Sequence, residues 1–328
     1  MIRPGFVDLQ VNGYFGVDFS DPAATVEQIL EAAELLVTQG TVGFLATIIT
    51  GPRESMEMCA KNIAEAIDRQ GRRGPILGIH LEGPFISPDY GYHGMHDPQY
   101  VCPPDAQWFE RLQKISRNNI RIVTLAPEYE GACEFVSAVG PSVTVSAGHT
   151  HCSFSQARRA VRSGLRMATH IGNGCRQEID RHDNPIVNLL GCGEIAVSFI
   201  PDGFHLPEAF LRMLLLSRPI NQLIAISDSS QYAGMAAGTY TMSSGLKVVL
   251  SENGRLATVS DANVLAGSSS TMLRCMNHLA SLGVLTAEEL WQIGFGNPLS
   301  AIGGKLEELG SVVTRVEFDE GKGRFRLA

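Results

Sequence analysis

The sequence predicts a (β/α)8 barrel of the TIM type, and two observations support this fold class. Short apolar runs alternate with amphipathic stretches over roughly the first 230 residues, which gives eight strand–helix units. The apolar runs also lack a clean alternation of polar and apolar residues, as strands do when both faces of a parallel sheet are buried. An open doubly wound sheet is the alternative, but no G-x-G-x-x-G motif follows the first strand.

Eight apolar runs are predicted as the barrel strands. They are Gly5–Val11, Val42–Ile49, Ile76–Leu81, Arg121–Leu125, Val143–Ala147, Met167–His170, Ile195–Ile200 and Leu223–Ile226. Six amphipathic stretches are predicted as helices, namely Thr25–Gln39, Arg53–Arg69, Asp105–Asn118, Tyr129–Val139, Ser153–Ser163 and Pro207–Leu216. The 34 glycines suit the tight turns that short strand–helix connections need.

The pattern changes after the eighth strand. Gly238–Ala257 alternates and contains two turn signals, Ser-Ser-Gly and Glu-Asn-Gly-Arg, which predicts an inserted β-hairpin. Ser268–Ser281 and Thr286–Phe295 return to a helical pattern. The tail Val312–Leu327 alternates around Asp-Glu-Gly-Lys-Gly, which predicts a second, terminal hairpin.

Composition excludes several classes of protein. The chain of 328 residues is 44% hydrophobic and 18% charged, which predicts a large buried core instead of disorder. Its net charge of −8, without a basic block, argues against a nucleic-acid or anionic-membrane partner, and no apolar run is long enough to span a bilayer. Seven scattered cysteines without a C-x-x-C pair, and no secretory signal, predict a cytoplasmic enzyme with reduced thiols.

Ionisable side chains follow three of the predicted strands. Glu82 ends an apolar run before Gly-Pro, and His149 and His170 end two later runs. Taken alone, a strand-end glutamate can be merely solvated, and a strand-end histidine is more often structural. Three such residues at the carboxyl-terminal mouth of one barrel predict a zinc site with a position left open for water.

Two further strand ends carry carboxylates. Asp228 follows the eighth strand, where it could take a proton from an activated water and pass it to a leaving group. Asp202 follows the seventh strand in an Asp-Gly turn, and the nearby His205 favours a binding role over a simple turn.

Seven motifs in these regions resemble the N-acetylglucosamine-6-phosphate deacetylase family of the amidohydrolase superfamily. They occur in family order up to Asn297-Pro298 and so cover nearly the whole chain. The motifs are PGFVDLQVNG at 4–13, HLEGPF at 80–85, TLAPE at 124–128, SAGHT at 146–150, TH at 169–170, DGFH at 202–205 and LAGSS at 265–269.

The resemblance implies one divalent metal ion, usually zinc, held by Glu82, His149 and His170. Amidohydrolases commonly carry His-x-His at the end of the first strand, and this chain has Gln10-Val-Asn12 instead. An amide oxygen is a much poorer zinc ligand than imidazole. We therefore expect one tightly bound ion and not two, which disfavours a phosphotriesterase-like or nuclease barrel.

The resemblance also implies the reaction, which is metal-assisted removal of acetate from an N-acetylated amino sugar. Asp228 matches the family's catalytic aspartate, which accepts a proton from the attacking water and donates it to the departing amine. A histidine and the metal stabilise the oxyanion. The sequence around Met95 and His96 resembles the family's substrate loop, so His96 is preferred as that histidine over His93.

Substrate recognition is implied for a further set of residues. Arg181 and His205 match the positions that bind the 6-phosphate, although Arg181 could instead pair on the surface with Glu178, Asp180 or Asp183. Part of this site comes from a neighbouring subunit in the family, so we expect a homodimer. The expected sugar-binding residues are Asn173, Gly174, Asp202, Leu265, Ala266 and Gly267.

Four departures from the family pattern bear on these expectations. The chain starts at the Pro-Gly-Phe-Val-Asp motif, so we expect a barrel at 1–305 and only a remnant of the family's small β-domain, a hairpin at 306–328. Residues 171–178 and the segment after Asp228 differ from the usual pattern. His151 replaces Asn or Asp, and could orient the substrate or a ligand or, if it shares a face with His149, reach the metal.

Two alternative functions remain open from the sequence. One keeps the mechanism but acts on another N-acyl sugar, an N-acyl amino acid or a cyclic amide. The other is a non-catalytic barrel that binds a sugar phosphate as a sensor. The ligand set and Asp228 argue against the sensor, because a pure binder has no use for groups that activate water.

Overall fold

Eight parallel strands form the central sheet of the protein. The computed structural model describes residues 2–71, 73–242, 244–305, 309 and 314–328. Each barrel strand pairs with the next one along the chain, and the predicted bounds hold within two residues. From first to eighth the strands are Phe6–Val11, Thr41–Ile49, Ile76–Glu82, Ile120–Leu125, Thr144–Ala147, Met167–Ala168, Ala196–Phe199 and Leu223–Ala225.

The first and eighth strands close the barrel without a regular ladder. A single parallel bridge joins Val11 to Ser229, and the backbone N–H of Asn12 donates to the carbonyl of Ser229 at 2.7 Å. Below this bridge, the buried carboxylate of Asp8 accepts hydrogen bonds from both the backbone N–H and the hydroxyl of Ser227. The side chain of Asp8 thus joins the first strand to the end of the eighth, one residue before Asp228.

Helices cover the outside of the sheet, and all of the predicted ones are present. The first begins after a capping box in which Thr25 and Gln28 bond reciprocally, as this sequence pattern favours. A helix at Pro185–Leu190 was not predicted, because six residues are too few to show a helical period. The helices are Val26–Thr38, Arg53–Gln70, Ala106–Ile115, Ala132–Val139, Phe154–Ser163, Pro185–Leu190, Glu208–Ser217, Met272–Ser281, Ala287–Trp291 and Asn297–Ala301.

Several short elements complete the barrel. Gly13–Tyr14 and Val17–Asp18 form a small antiparallel pair after the first strand. A π-helical segment, Gln292–Gly296, joins the last two helices, so this helical region extends beyond the predicted end at Phe295. Short 3₁₀ turns lie at Pro98–Tyr100 and Ile220–Gln222. Among the described helices, none combines the length and apolar character needed to cross a membrane.

The insertion after the eighth strand is larger than the predicted hairpin. Gly238–Thr241 and Lys247–Leu250 form that hairpin, and Leu256–Thr258 adds a third antiparallel strand. The Asn253-Gly254 turn reverses the chain, so the residues after it pair instead of leading into a loop. The small sheet has its own apolar cluster and lies next to the 265–267 loop through a bridge between Ala257 and Leu265.

The tail folds back onto the start of the chain. Arg315–Asp319 pairs with Arg324–Leu327, as predicted, and also with Ile2–Pro4, which the sequence did not reveal. The side-chain amide of Asn277 bonds the backbone N–H and carbonyl of Phe325, so a helix residue closes that strand's outer edge. The predicted tail start at Val312 and residues 306–308 lie outside the described residues, and the boundary at 305 stays a prediction.

Candidate active site

The chain turns sharply at three of the site residues. His149, His170 and Asp228 follow the fifth, sixth and eighth strands and adopt positive φ angles of 51°, 31° and 51°. A residue other than glycine pays about 1–2 kcal/mol for this left-handed conformation. The surrounding fold holds this strain, and the three side chains meet at the mouth of the barrel beside Glu82, the last residue of the third strand.

Glu82, His149 and His170 form a buried cluster that could hold a metal ion. Nε2 of His170 lies 2.8 Å, and Nε2 of His149 3.3 Å, from Oε1 of Glu82, and the two nitrogens are 3.1 Å apart. Three ligands of one tetrahedral zinc ion, with bonds of about 2.0–2.1 Å, lie about 3.3–3.4 Å apart. The three predicted ligands are therefore brought together at separations that suit one ion.

The hydrogen bonds of His149 prepare it to be a ligand. Its Nδ1 lies 2.7 Å from the backbone carbonyl of Tyr92. Because a carbonyl only accepts, Nδ1 carries the hydrogen and Nε2 presents its lone pair to the cluster. Burial raises the pKa of Glu82, but the close contacts of its carboxylate with the rings of His149 and His170 outweigh burial and hold that pKa well below its usual range. The cluster thus keeps Glu82 charged.

Asp228 lies beside the cluster and is held by two side-chain amides. Its Oδ1 accepts hydrogen bonds from Nδ2 of Asn12 at 2.7 Å and from Nε2 of Gln10 at 2.9 Å. No described residue donates a hydrogen bond to its Oδ2. Burial, and then the charge of Glu82, raises the pKa of Asp228 to about 6. The arrangement leaves one carboxylate oxygen free to exchange a proton.

His96 faces the cluster as a neutral ring. The backbone N–H of Thr50 donates to its Nδ1, so the ring hydrogen is on Nε2, which lies 3.7 Å from Oε2 of Glu82. Burial lowers the pKa of His96 to about 3. The ring is therefore a hydrogen-bond donor at the site, as an oxyanion stabiliser must be. Met95, its predicted neighbour in the substrate loop, is 43% exposed.

The other predicted binding residues lie around this mouth. Gly174 adopts φ 60° against the ring of His149, where a Cβ atom would lie 2.8 Å from Nδ1. The amide nitrogen of Asn173 is buried and has no partner among the described residues. The backbone N–H and the hydroxyl of Ser230, just after the eighth strand, both donate to the carbonyl of Ser268. These bonds hold the preceding residues, Leu265, Ala266 and Gly267, beside the end of that strand.

Asp202 and His205 form one hydrogen-bonded unit. Oδ2 of Asp202 lies 2.8 Å from Nδ1 of His205, and Oδ1 accepts the backbone N–H groups of Phe204 and His205. Burial raises the pKa of Asp202, but the hydrogen bond from His205 outweighs it and holds that pKa below its usual range. Nδ1 of His205 therefore donates, which leaves Nε2 for a ligand.

Arg181 is exposed, on the segment between the sixth strand and the Pro185–Leu190 helix. Within the described residues it forms no ion pair with Glu178, Asp180 or Asp183. The carboxylate of Asp180 accepts two backbone N–H groups of its own turn instead. The role of Arg181, in phosphate binding or in a surface ion pair, stays a prediction.

A chain of buried hydrogen bonds lies beneath the site. Nδ1 of His80 lies 3.1 Å from the carbonyl of Leu9, and Nε2 lies 2.8 Å from the hydroxyl of Thr124. Hydroxyl contacts of 2.8 and 2.6 Å continue from Thr124 to Thr169 and on to Ser146. Burial lowers the pKa of His80 to about 4, so the ring is neutral. Each of these polar groups therefore has a partner in the barrel interior.

Some functional contacts were missed or misjudged from the sequence. The sequence marks Gln10 and Asn12 only as poor metal ligands, whereas in the structure their amides donate hydrogen bonds to Asp228. Thr50, whose backbone N–H donates to His96, is a polar residue directly after an apolar strand. The same pattern identifies Glu82 in the sequence, so Thr50 could have been found in the same way. His151 does not extend the strand alternation, since the strand ends at Ala147, and its side chain contacts other residues than the cluster.

The chain is similar in sequence to known deacetylases. N-acetylglucosamine-6-phosphate deacetylase of Caenorhabditis elegans is 30% identical over 318 residues, which cover 92% of this chain and 74% of the relative. The deacetylase of the same name from Bacillus subtilis is 30% identical over 283 residues, covering 85% of this chain and 69% of the relative. No protein-family model matches the chain.

A solved structure has the same fold across nearly the whole chain. It is a mutant of N-acetyl-D-glucosamine-6-phosphate deacetylase from Mycobacterium smegmatis, in complex with N-acetyl-D-glucosamine-6-phosphate. Its TM-score is 0.86 at 27% identity, and the match covers 99% of this chain and 84% of that one. Sequence, fold and strand-end cluster together lead to one assignment: the chain belongs to the N-acetylglucosamine-6-phosphate deacetylase family, whose members are hydrolases that act on amide bonds.

Proposed function

We propose that the protein removes acetate from N-acetylglucosamine 6-phosphate and leaves glucosamine 6-phosphate, with one zinc ion held by Glu82, His149 and His170. The observation that carries the proposal is the placement of Asp228, which lies beside the three-residue cluster with one carboxylate oxygen free. The names of the relatives and the bound sugar phosphate of the mycobacterial structure support the substrate.

The metal ligands and the reaction fit each other. When bound, a divalent ion polarises a carbonyl as a Lewis acid and lowers the pKa of water toward neutrality. The lone pair on Nε2 of His149 and the charged state of Glu82 suit such an ion. Zinc is proposed because a site of two imidazoles and one carboxylate matches its usual ligands in catalytic sites.

Asp228 and His96 carry the proton and the developing charge. Asp228 accepts a proton from the attacking water through its free oxygen and then donates it to the departing amine. The N–H of His96 Nε2 is proposed to donate to the acetamido oxygen, which gains negative charge in the transition state; the nearness of this nitrogen to Glu82 supports that role. The amides of Gln10 and Asn12 hold Asp228 in position without competing for its free oxygen.

Arg181 and His205 are proposed to bind the phosphate group. Arginine offers a planar fork for phosphate oxygens, and Nε2 of His205 is left for a ligand because Nδ1 is bound to Asp202. The sugar pocket is proposed to be lined by Met95, Asn173, Gly174 and the 265–267 loop. The buried and unpartnered amide nitrogen of Asn173 supports a ligand contact there.

A homodimer in the cytoplasm is proposed as the working form. Met213 and Leu216 lie three residues apart on one helix, and 47% and 86% of their surfaces are exposed. All seven cysteines are free, as in proteins of a reducing compartment. Light scattering tests the dimer, because a 35.4 kDa particle with full activity at micromolar concentration contradicts it.

A substrate panel with the zinc-loaded enzyme tests the proposed reaction. We expect acetate release from N-acetylglucosamine 6-phosphate at a kcat/KM far above that for unphosphorylated N-acetylglucosamine. Hydrolysis of N-acyl amino acids or cyclic amides in preference to both sugars would replace the substrate but keep the mechanism. Tight binding of the sugar phosphate without turnover, by protein that holds no metal, would favour the sensor.

A further inference from the structure

We propose that His151 is a positioning residue that fixes the loop of residues 87–96 and, through it, the orientation of His149. This inference rests on the proposed function, since it assumes that His149 binds the metal. The 87–96 loop carries both the carbonyl of Tyr92, which accepts from Nδ1 of His149 at 2.7 Å, and the neutral ring of His96. Whatever holds this loop therefore also holds two groups of the site.

Three oxygens converge on one atom of His151. Nδ1 lies 3.1 Å from Oγ of Ser87, 3.3 Å from Oδ2 of Asp89 and 3.3 Å from Oε1 of Glu128. Two of them are carboxylate oxygens, which only accept at neutral pH, so Nδ1 carries a hydrogen and donates. Ser87 and Asp89 belong to the loop, so this nitrogen joins the loop to the segment that follows the fifth strand.

Glu128 makes the attachment rigid from the other side. Its side chain is 9% exposed, and it accepts from the backbone N–H of His151 at 3.0 Å and from the hydroxyl of Thr150. These two bonds hold the turn that begins at His149 and do not depend on the imidazole of His151. The imidazole adds a side-chain link across to the loop, beside the backbone hydrogen bond from the N–H of Ser87 to the carbonyl of His149, so its removal affects the loop more than the turn.

The contact of His151 with Ser87 and the contact of Tyr92 with His149 together close a loop of contacts through the chain. The chain runs from His149 to His151, crosses to Ser87, continues to Tyr92 and returns to His149 through the Tyr92 carbonyl. The rings of Tyr92 and His151 also pack at 5.4 Å between centroids, which strengthens the crossing. Complete loss of an outer partner of a metal-binding histidine typically costs about 10- to 100-fold in metal affinity or activity, which is the upper bound for loosening the Tyr92 carbonyl.

Two substitutions separate the role of the donor from mere packing. His151→Ala removes the donor, whereas His151→Asn places an amide nitrogen at the same distance from the backbone as Nδ1 and so keeps it. His182→Ala is the matched control, because His182 is also exposed and its side chain makes no hydrogen bond to the described residues. The inference predicts that the 87–96 loop and the metal are held less firmly in His151→Ala. Both should be held as in the wild type in His151→Asn and in His182→Ala.

The experiment has two measurements on purified protein. Hydrogen exchange of peptides from 87–96 in the metal-free protein should quicken about tenfold in His151→Ala and remain near wild type in His151→Asn. Release of Zn²⁺ to an excess of chelator should quicken in His151→Ala only, by about 10-fold, the lower end of the cost of losing an outer partner. Unchanged exchange and unchanged zinc release in His151→Ala would overturn the inference.

The two measurements also separate this inference from the proposed function. If the wild type holds no zinc, the proposed metal site fails, whereas the exchange measurement on metal-free protein still tests the link. If the wild type holds zinc and His151→Ala releases it at the same rate, the metal site stands and the positioning role fails. If hydrogen exchange and zinc release quicken equally in His151→Ala and His151→Asn, the role does not depend on the hydrogen-bond donor, which would also contradict the inference.

Discussion

Gln10 and Asp228 are joined by a hydrogen bond of 2.9 Å whose donor, Nε2 of Gln10, lies 2.8 Å from Oε1 of Glu82 as well. One amide group therefore serves two neighbouring carboxylates. Because two buried carboxylates repel each other, a shared donor between them stabilises their approach. The amide of Gln10 thus supplies partial positive charge between the two carboxylates.

Gln10→Met should lower kcat. The substitution keeps most of the side-chain volume and removes the donor to Asp228 and Glu82. A hydrogen bond to a charged group is worth about 1.5–3 kcal/mol, so we expect a loss of about 10- to 100-fold in kcat with a small change in KM. Steady-state acetate release measures it, with the exposed Gln39→Met as the control. An unchanged kcat would show that the shared donor has no catalytic consequence.

Asp228→Asn should keep the fold and the metal but lose turnover. General acid–base catalysis contributes about 10²–10⁴-fold, and here one carboxylate serves both the attack and the departure of the amine. Zinc content by elemental analysis and the thermal midpoint should match the wild type. Near-normal acetate release from the purified variant would mean that another group moves the proton.

Arg181→Ala should discriminate between phosphorylated and unphosphorylated substrates. Losing a two-pronged contact to phosphate, at roughly 1.5–3 kcal/mol for each charge-assisted bond, costs on the order of 10²-fold or more in kcat/KM. Activity on unphosphorylated N-acetylglucosamine should hardly change, and this serves as the internal control. Equal losses on both substrates would assign Arg181 to support of its loop.

Asp8 should make stability depend on pH. Burial, opposed by hydrogen bonds from Ser227, raises the pKa of Asp8 from 3.8 to about 7. A carboxyl with a raised pKa stabilises the fold most below its unfolded pKa, and this stabilisation is lost as the pH rises through the folded value. The free energy of unfolding of wild type minus that of Asp8→Asn should fall by about 2–3 kcal/mol between about pH 5 and pH 8.

Urea unfolding of the two metal-free proteins at several pH values measures this difference. Metal-free protein is used so that loss of zinc at low pH does not enter the comparison. Titration of all other groups is common to both proteins and cancels. A difference that stays constant from pH 5 to pH 8 would show that Asp8 is ionised in the folded state throughout.

The barrel and its cluster could be predicted because both depend on local signals. Apolar runs identify buried parallel strands, and the carboxyl ends of such strands meet at one mouth. Polar residues that directly follow those runs, such as Glu82, His149 and Asp228, are therefore brought together whatever their separation along the chain.

The contacts that complete the site could not be predicted in the same way. The partner of His149 is the backbone carbonyl of Tyr92, 57 residues away, and a carbonyl has no sequence signal. The contact between Asp8 and Ser227 links the two ends of the barrel, so it exists only once the barrel closes. Pairing of Ile2–Pro4 with the tail is likewise set by the folded ends of the chain.

A zinc titration followed by acetate release tests the central claim most directly. Metal-free protein is mixed with increasing Zn²⁺, and acetate release from N-acetylglucosamine 6-phosphate is measured at each ratio. With one ion held by Glu82, His149 and His170, activity should rise linearly and reach its plateau at one equivalent per chain. A plateau at two equivalents, or no acetate release at any ratio, would contradict the account.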